Sequence, residues 1–270
     1  MSRTGVQSGR DAWDVVVAFT RLDMIDDISY PASFVFRFIS PLISVCLYFF
    51  QARFLDRPDA YTATLIGVSV ALALQMALGG LSGRIQLVQD RGTLEPVLVE
   101  PVPWWALPLT MNIWLSLNGV ITMALMLLAG MALGADINLS GLPTFAAILF
   151  LGILACNAIG ILSASLLVLA KKAGAVVALY GLAASLLGGA LFSIEVLPDW
   201  LRPLSYAVPH AYVISASREV LDPNQIGTGM SLGTALFGLV GFIIVVYPIS
   251  LWFFTRSLNY TRRMGLLGSY

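Results

Sequence analysis

Charge is scarce in this 270-residue sequence. Asp, Glu, Lys and Arg make up 11% of it, whereas 58% is hydrophobic and the mean hydropathy is +0.86. Soluble globular proteins carry about a quarter of their residues as charges, so a soluble globular fold is excluded. Histidine occurs once, at His210, and cysteine twice, at Cys46 and Cys156, both inside apolar runs. Such a set offers neither a disulfide framework nor a cluster to hold a metal, and His210, beside Pro209, reads as a solvated or packed residue outside the membrane. The patterns GxxxxGK[ST], HExxH and GxSxG are all missing, so no phosphate-cradling loop, zinc-protease helix or nucleophile elbow is present, and no cofactor is expected on this chain. The formal net charge is zero. No surface for nucleic acid is implied.

What the sequence has is apolar length. Six runs, at 33–50, 61–81, 104–133, 142–170, 173–194 and 232–254, approach or exceed the roughly 20 residues needed to cross a bilayer. Lipid satisfies no backbone group, so these runs must be helices and the fold class is an all-α membrane protein of six spans. With the N-terminus inside, eleven of the fifteen Lys and Arg residues, Arg37, Arg84, Lys171, Lys172 and Arg262 among them, fall on the inner side. This bias predicts a multi-pass protein of the plasma or inner membrane with both termini cytoplasmic. Nothing before Ser33 has the apolar core of a signal peptide, so the first span should be retained.

The segments between the runs carry the rest of the information. Residues 11–28, with Asp23, Asp26 and Asp27 apart from Trp13, Val16, Val17 and Met24, predict a helix lying in the cytoplasmic interface and stopped by Ser29-Tyr30-Pro31. Arg37, close to the inner end of the first span, should snorkel to headgroups, the alternative being a polar pathway. Gly79-Gly80-Leu81-Ser82-Gly83 should end the second span. The charged stretch 84–103 follows, with Gly92 as a break, Thr93 as a cap and Pro101 and Pro103 as stops before the Trp104-Trp105 belt, giving a stiff element on the membrane surface. Small residues recur every four positions at Gly152, Cys156, Gly160 and Ala164 and again at Gly181, Ser185, Gly189 and Ser193, stripes that let helices approach closely within or between subunits. Lys171-Lys172 should turn the fourth and fifth spans into an antiparallel hairpin. Residues 195–222 are too polar to span and too apolar for a free loop; Pro198 and Pro209 can each open a short helix, half embedded in the outer leaflet.

Asp90, Gly92, Thr93, Leu94, Glu95 and Pro101 after the second span, together with Leu197, Pro198, Trp200, Leu201, Pro209, Tyr212 and Arg218 before the sixth, resemble the permease subunit of type-2 ABC exporters over nearly the whole chain. The resemblance implies an interfacial helix, a coupling loop at 84–103 built around Asp90, Gly92, Thr93, Leu94 and Glu95, and an outer re-entrant helix pair containing Pro198, Trp200, Pro209 and Arg218. It implies that two copies, or one copy and a paralogous permease, pair in membrane lipid, with Gly181, Ser185 and Gly189 serving helix packing or the dimer. It further implies separate cytoplasmic ABC ATPase subunits that bind the ATP and Mg, and export of a drug-like, lipid or other amphipathic solute. An autonomous channel or an assembly scaffold would share the six spans but leaves the GTLE stretch at 92–95 unexplained. The chain alone should therefore hydrolyse no ATP; turnover by a pure preparation that is lost on substitution within this sequence would contradict that expectation.

Overall fold

Pro31 can occupy the first turn of a helix but disfavours helix in the residue before it. The chain accordingly breaks at Ser29-Tyr30, separating α1 (Gly5–Ile28) from α2 (Pro31–Phe54). The computed structural model describes residues 5–57, 59–90, 112–170, 174–224 and 229–263. Further helices are α3 (Asp59–Asp90), α4 (Ile113–Ala132), α5 (Leu142–Ala170), α6 (Gly174–Leu187), the single turn α7 (Arg202–Ser205), α8 (Pro209–Leu221) and α9 (Leu232–Arg263), with no strand among the described residues. Among the described residues, five segments are long and apolar enough to cross a membrane: Val35–Phe54, Ala60–Leu87, Ile113–Ala132, Leu139–Val168 and Leu232–Tyr260. The fold is an all-α membrane protein.

Among the described residues, the run expected to span at 173–194 forms a helix of 14 residues. At 1.5 Å per residue that is roughly 21 Å, short of the roughly 30 Å hydrocarbon core. Its end is a left-handed turn. Gly189 takes φ 75°; its N–H bonds Leu186 O at 3.1 Å, and Ala190 N–H reaches Ser185 O at 3.1 Å. This is a Schellman stop. Gly189 therefore does not belong to a helical stripe with Gly181 and Ser185, contrary to the four-residue spacing; glycine is there for its positive φ. The ends of α2 and α4 close in the same manner, with Asp56 (φ 52°) and Gly134 (φ 99°) in the left-handed position and Arg57 and Ala135 bonding back five residues at 3.0 and 2.9 Å.

Helix α3 runs on past the glycine cluster, which was expected to end it at Leu81. Each interior glycine costs about 1 kcal/mol relative to alanine. Packing outweighs that here, because Leu81 and Ile85 are buried with Ile161, Leu167, Val168, Phe254 and Leu258, where the ends of α3, α5 and α9 converge. At 32 residues α3 is roughly 48 Å long. It is also the axis of the main core: Leu65, Ile66, Leu74 and Leu78 are fully buried against residues of α4, α5 and α8. The spanning part of α3 is 67% buried, whereas those of α2 and α9 are 11% buried and lie at the periphery. Helix α6 rests on α3 more than on α5, so the fourth and fifth apolar runs do not pack as a tight hairpin; residues 171–173 lie outside the described residues.

The small-residue stripe on α5 packs within the chain. A Cβ at Gly160 would sit 2.5 Å from Leu78 O of α3, and Cys156 and Ala164 are fully buried. Gly181 of α6 likewise faces Gln75 of α3, whose amide a Cβ would meet at 2.9 Å. By contrast, a Cβ at Gly79 has nothing within 4 Å. Thermal unfolding in detergent should separate the two kinds of site: Gly160→Ala should destabilise by about 1–3 kcal/mol through overpacking, while Gly79→Ala should be neutral or stabilising by up to about 1 kcal/mol. Equal effects would remove the close contact between α5 and α3.

Candidate functional site

Two polar constellations stand out in this apolar bundle, one at each end. The first fastens α1 near the end of the bundle where α3, α5 and α9 converge. Arg37 of α2 donates from Nη1 and Nη2 to Oδ2 and Oδ1 of Asp27 at 2.6 and 2.7 Å. Trp114 Nε1 of α4 donates to the same Oδ2 at 2.6 Å, and Asn118 Nδ2, one turn further along α4, at 3.4 Å. One turn earlier on α1, Asp23 forms an ion pair with Arg84 of α3. Helix α1 is thus tied to α2, α3 and α4 by carboxylates spaced four apart on one face. Arg37 does not snorkel to headgroups, as the sequence led us to expect; its fork geometry matches a carboxylate ten residues earlier, across the turn at Pro31.

The electrostatics of the two carboxylates differ. The Arg37 hydrogen bonds hold Asp27 below its ordinary 3.8, against partial burial and with help from the Trp114 N–H. For Asp23 burial is the larger influence and raises its pKa above 3.8, in spite of Arg84. Both line a pocket of about 170 Å³ with Asp26, Gly80, Gly83, Leu87 and Leu115. Just beyond it, the Asn112 amide donates to Ala77 O of α3 at 2.6 Å and to Asn157 of α5. A Cβ on Gly80 would collide with Asn112 Oδ1.

The second constellation surrounds α8. Within residues 195–222, α8 is buried against α3, α5 and α9 rather than half embedded, and there are not two equivalent helices. Pro209 opens α8, but Pro198 lies before α7, in whose first turn Pro203 sits. Trp200 is 75% exposed, while Val213 and Ile214 are fully buried. Helix α8 is seated in a socket in which each neighbour presents a glycine. Gly152 of α5 faces Val213, with a built Cβ 2.6 Å from Cγ2. Gly188 after α6 faces His210 at 2.6 Å, Gly141 faces Val220 O at 2.5 Å, Gly238 of α9 faces the Tyr212 ring, and Gly67 of α3 faces Arg218. Only close backbone approach makes room for so many polar side chains.

Arg218 is the least expected of these. It is 2% exposed and donates through Nε to Ala63 O at 2.9 Å and through Nη2 to Ala190 O at 3.0 Å, with Nη1 3.5 Å from Phe192 O. Burial lowers its pKa to about 10, which leaves it charged at neutral pH. The C-terminal end of α8 is held again where Asn138 N–H donates to Leu221 O at 2.9 Å. His210 is packed rather than solvated, and burial pushes its pKa down to about 4, so the ring is neutral. Of the residues the sequence singled out, Pro209 and Arg218 meet in this socket, Pro198 and Trp200 lie at its rim, Gly181 and Ser185 face elsewhere, and Gly189 turns the chain toward Arg218. Gly92, Thr93, Leu94 and Glu95 lie outside the described residues, as does the side chain of Asp90, which ends α3. Sequence reasoning missed Asp27, Trp114 and Asn118; a carboxylate just before the first span and an arginine just inside it were the available signal.

The sign of Asp27's shift sets its pH dependence. A depressed pKa stabilises fully above 3.8 and loses that contribution as pH falls through the folded value. The melting temperature should therefore drop on acidification below 3.8, a drop that Asp27→Asn should largely lack while melting lower than the parent at pH 7. Asp23 works in the opposite sense, so coincident curves for parent and variant would mean that the Arg37 fork does not hold α1.

No curated protein matches this chain in sequence. The family model for the ABC-2 type transporter matches residues 16–221, from within α1 to the last residue of α8, and so takes in both constellations. The chain belongs to the ABC-2 type transporter family and is a membrane permease component.

Proposed function

We propose that the chain pairs with a second copy or a paralogous permease, docks separate cytoplasmic ATPase subunits that bind ATP and Mg, and exports an amphipathic solute such as a drug-like molecule or a lipid. The observation that carries this reading is the fastening of α1. A helix that lies beside the spans and is held to α2, α3 and α4 through Asp23 and Asp27 can pass a push from a docked ATPase into three spans at once. The stretch 84–103 would supply the docking surface, with Asp90, Gly92, Thr93, Leu94 and Glu95 making the contact. Pairing is favoured by the apolar sides that α2 and α6 leave open, with Phe36, Ile43, Leu47 and Phe50 on one and Leu179, Leu182 and Leu186 on the other. A groove of about 260 Å³ between them is lined by Tyr48, Leu72, Gln75, Leu182 and Ser185. Its apolar character suits an amphipathic solute better than an ion. In this arrangement both termini and Lys172 face the cytoplasm, on the strength of the Lys and Arg bias.

Docking and transmission can be separated. Glu95→Ala should weaken capture of the partner ATPase by at least about tenfold, the loss expected when one member of a desolvated interfacial charge pair is truncated. Asp27→Asn should leave capture intact and still abolish most transport in reconstituted vesicles, because the lever is then unfastened from the spans. Asp199→Ala, whose side chain is 96% exposed, should change neither. If Glu95→Ala both captures the ATPase and transports normally, the coupling role is wrong and an autonomous channel or scaffold becomes the better reading.

A further inference from the structure

Helix α2 closes at Phe54, α3 opens at Asp59 and α4 closes at Ala132. Between these three ends lies a pocket of about 250 Å³, with Phe49, Arg53, Asp56, Tyr61 and Leu133 in its walls. Its charged groups are unpaired: neither Arg53 nor Asp56 enters an ion pair among the described residues. The Arg53 guanidinium lies over the Phe49 ring, 5.3 Å from its centroid, which steadies the fork and leaves its N–H edge for an acceptor. Tyr61, 4% exposed, stands edge-on to Phe49 with ring centres 5.6 Å apart, and its buried hydroxyl has no partner among the described residues. The carboxylate is kept against the preference of the backbone. Asp56 holds φ 52° in the left-handed turn after α2, where the matching turns after α4 and α6 use Gly134 and Gly189.

We infer that this pocket is a headgroup site for a phospholipid that carries both a phosphate and a primary ammonium, as phosphatidylethanolamine does. The Arg53 fork meets the phosphate, Asp56 takes the ammonium, and Phe49 and Leu133 receive the apolar start of the glycerol and acyl chains. One charge of each sign complements a zwitterion; a bare anion would be set against Asp56 and a bare cation against Arg53. Depth selects a lipid over a soluble zwitterion. Phe49 and Arg53 lie in the last two turns of the span Val35–Phe54, Tyr61 in the first turn of Ala60–Leu87, and Leu133 directly after Ile113–Ala132, which is the level of the headgroups. Phe54 and Leu55, next in sequence to the two charges, are 89% and 59% exposed and offer acyl chains an apolar surface. The pocket shares no lining residue with the groove between α2 and α6, so this lipid is a fixture of the bundle rather than the exported solute.

Lipid specificity tests the assignment. Full-length protein stripped of lipid in detergent would be titrated with phosphatidylethanolamine, phosphatidylcholine or phosphatidylglycerol, and the first bound lipid followed by native mass spectrometry. The parent should hold phosphatidylethanolamine about tenfold more tightly than phosphatidylcholine, which has no ammonium N–H, or phosphatidylglycerol, which has no cation. Asp56→Asn, whose new side chain still tolerates the left-handed turn, should bring phosphatidylethanolamine down to the level of phosphatidylcholine. Arg53→Gln should weaken all three lipids by about tenfold. Arg57→Gln, which removes an exposed cation outside the pocket, should change none of them. Equal parent affinities for phosphatidylethanolamine and phosphatidylcholine overturn the proposal, and so does an Asp56→Asn protein that keeps the preference. If Arg53→Gln does not fold, as size exclusion would reveal, the Asp56→Asn arm decides alone. Soluble phosphoethanolamine should compete only at far higher concentration than the lipid; displacement at the lipid's own concentration overturns the lipid as occupant.

Discussion

A charged side chain can lie inside a membrane bundle only if acceptors are built around it, and the far end of this molecule is arranged to meet that demand for Arg218. Its three carbonyl partners come from Ala63 in α3 and from Ala190 and Phe192 after α6. The last two are free to accept because α6 has already ended at Gly189, whose positive φ turns the chain across the bundle. Had α6 continued to a full span, Ala190 O would have been committed to an intrahelical bond and the guanidinium would have lost that acceptor. The short helix, the left-handed glycine and the buried arginine are one solution to one constraint. Gly67 of α3, where a Cβ would collide with the guanidinium, completes it by leaving room.

The other end obeys the same rule in a wetter setting. Asp27 and Arg37 are each about a quarter exposed, so their pairing is worth less than that of a dry pair, and its use is geometric. A bidentate fork, a tryptophan N–H and an asparagine amide on one carboxylate fix the angle at which α1 meets the spans far better than the loose apolar face of α1 could. Asp23, whose pKa burial raises against the opposing pull of Arg84, is paired with that arginine. The two pairs, with the Trp114 and Asn118 donors, therefore tie α1 to three helices rather than one.

How much of this was legible in the sequence depends on whether the signal is local. The break before Pro31, long apolar helices and the close packing of Gly152 and Gly160 follow from composition and spacing, and these are found. What failed failed for physical reasons. The glycine cluster before Arg84 did not end α3, because burial of Leu81 and Ile85 outweighed backbone entropy. The spacing of Gly181, Ser185 and Gly189 mimicked a stripe, although the last glycine serves a dihedral angle. Arg37 and Asp27 could not be paired by inspection, since their meeting depends on how two helices fold across a turn. In α8 the pattern offered no way to tell that Arg218 and His210 point inward, because a helix surrounded on every side has no polar face to read.

Helix α3 links the two ends. Arg84 near its close pairs with the α1 carboxylate, and Ala63 and Gly67 near its start receive Arg218. Between these points lie roughly 30 Å of helix, at 1.5 Å per residue, that is the most buried of the spans and has no proline. A rod so packed cannot bend freely, so a tilt imposed at Arg84 has to appear at Ala63, where it shifts one of the three carbonyls on which Arg218 depends. The other two stand on the turn after α6, which rests on α3 as well. Displacement of α3 therefore bears on all three acceptors of Arg218 and on the end of α8 that they hold. Physical continuity from the α1 fastening to the buried Arg218 thus runs through one helix.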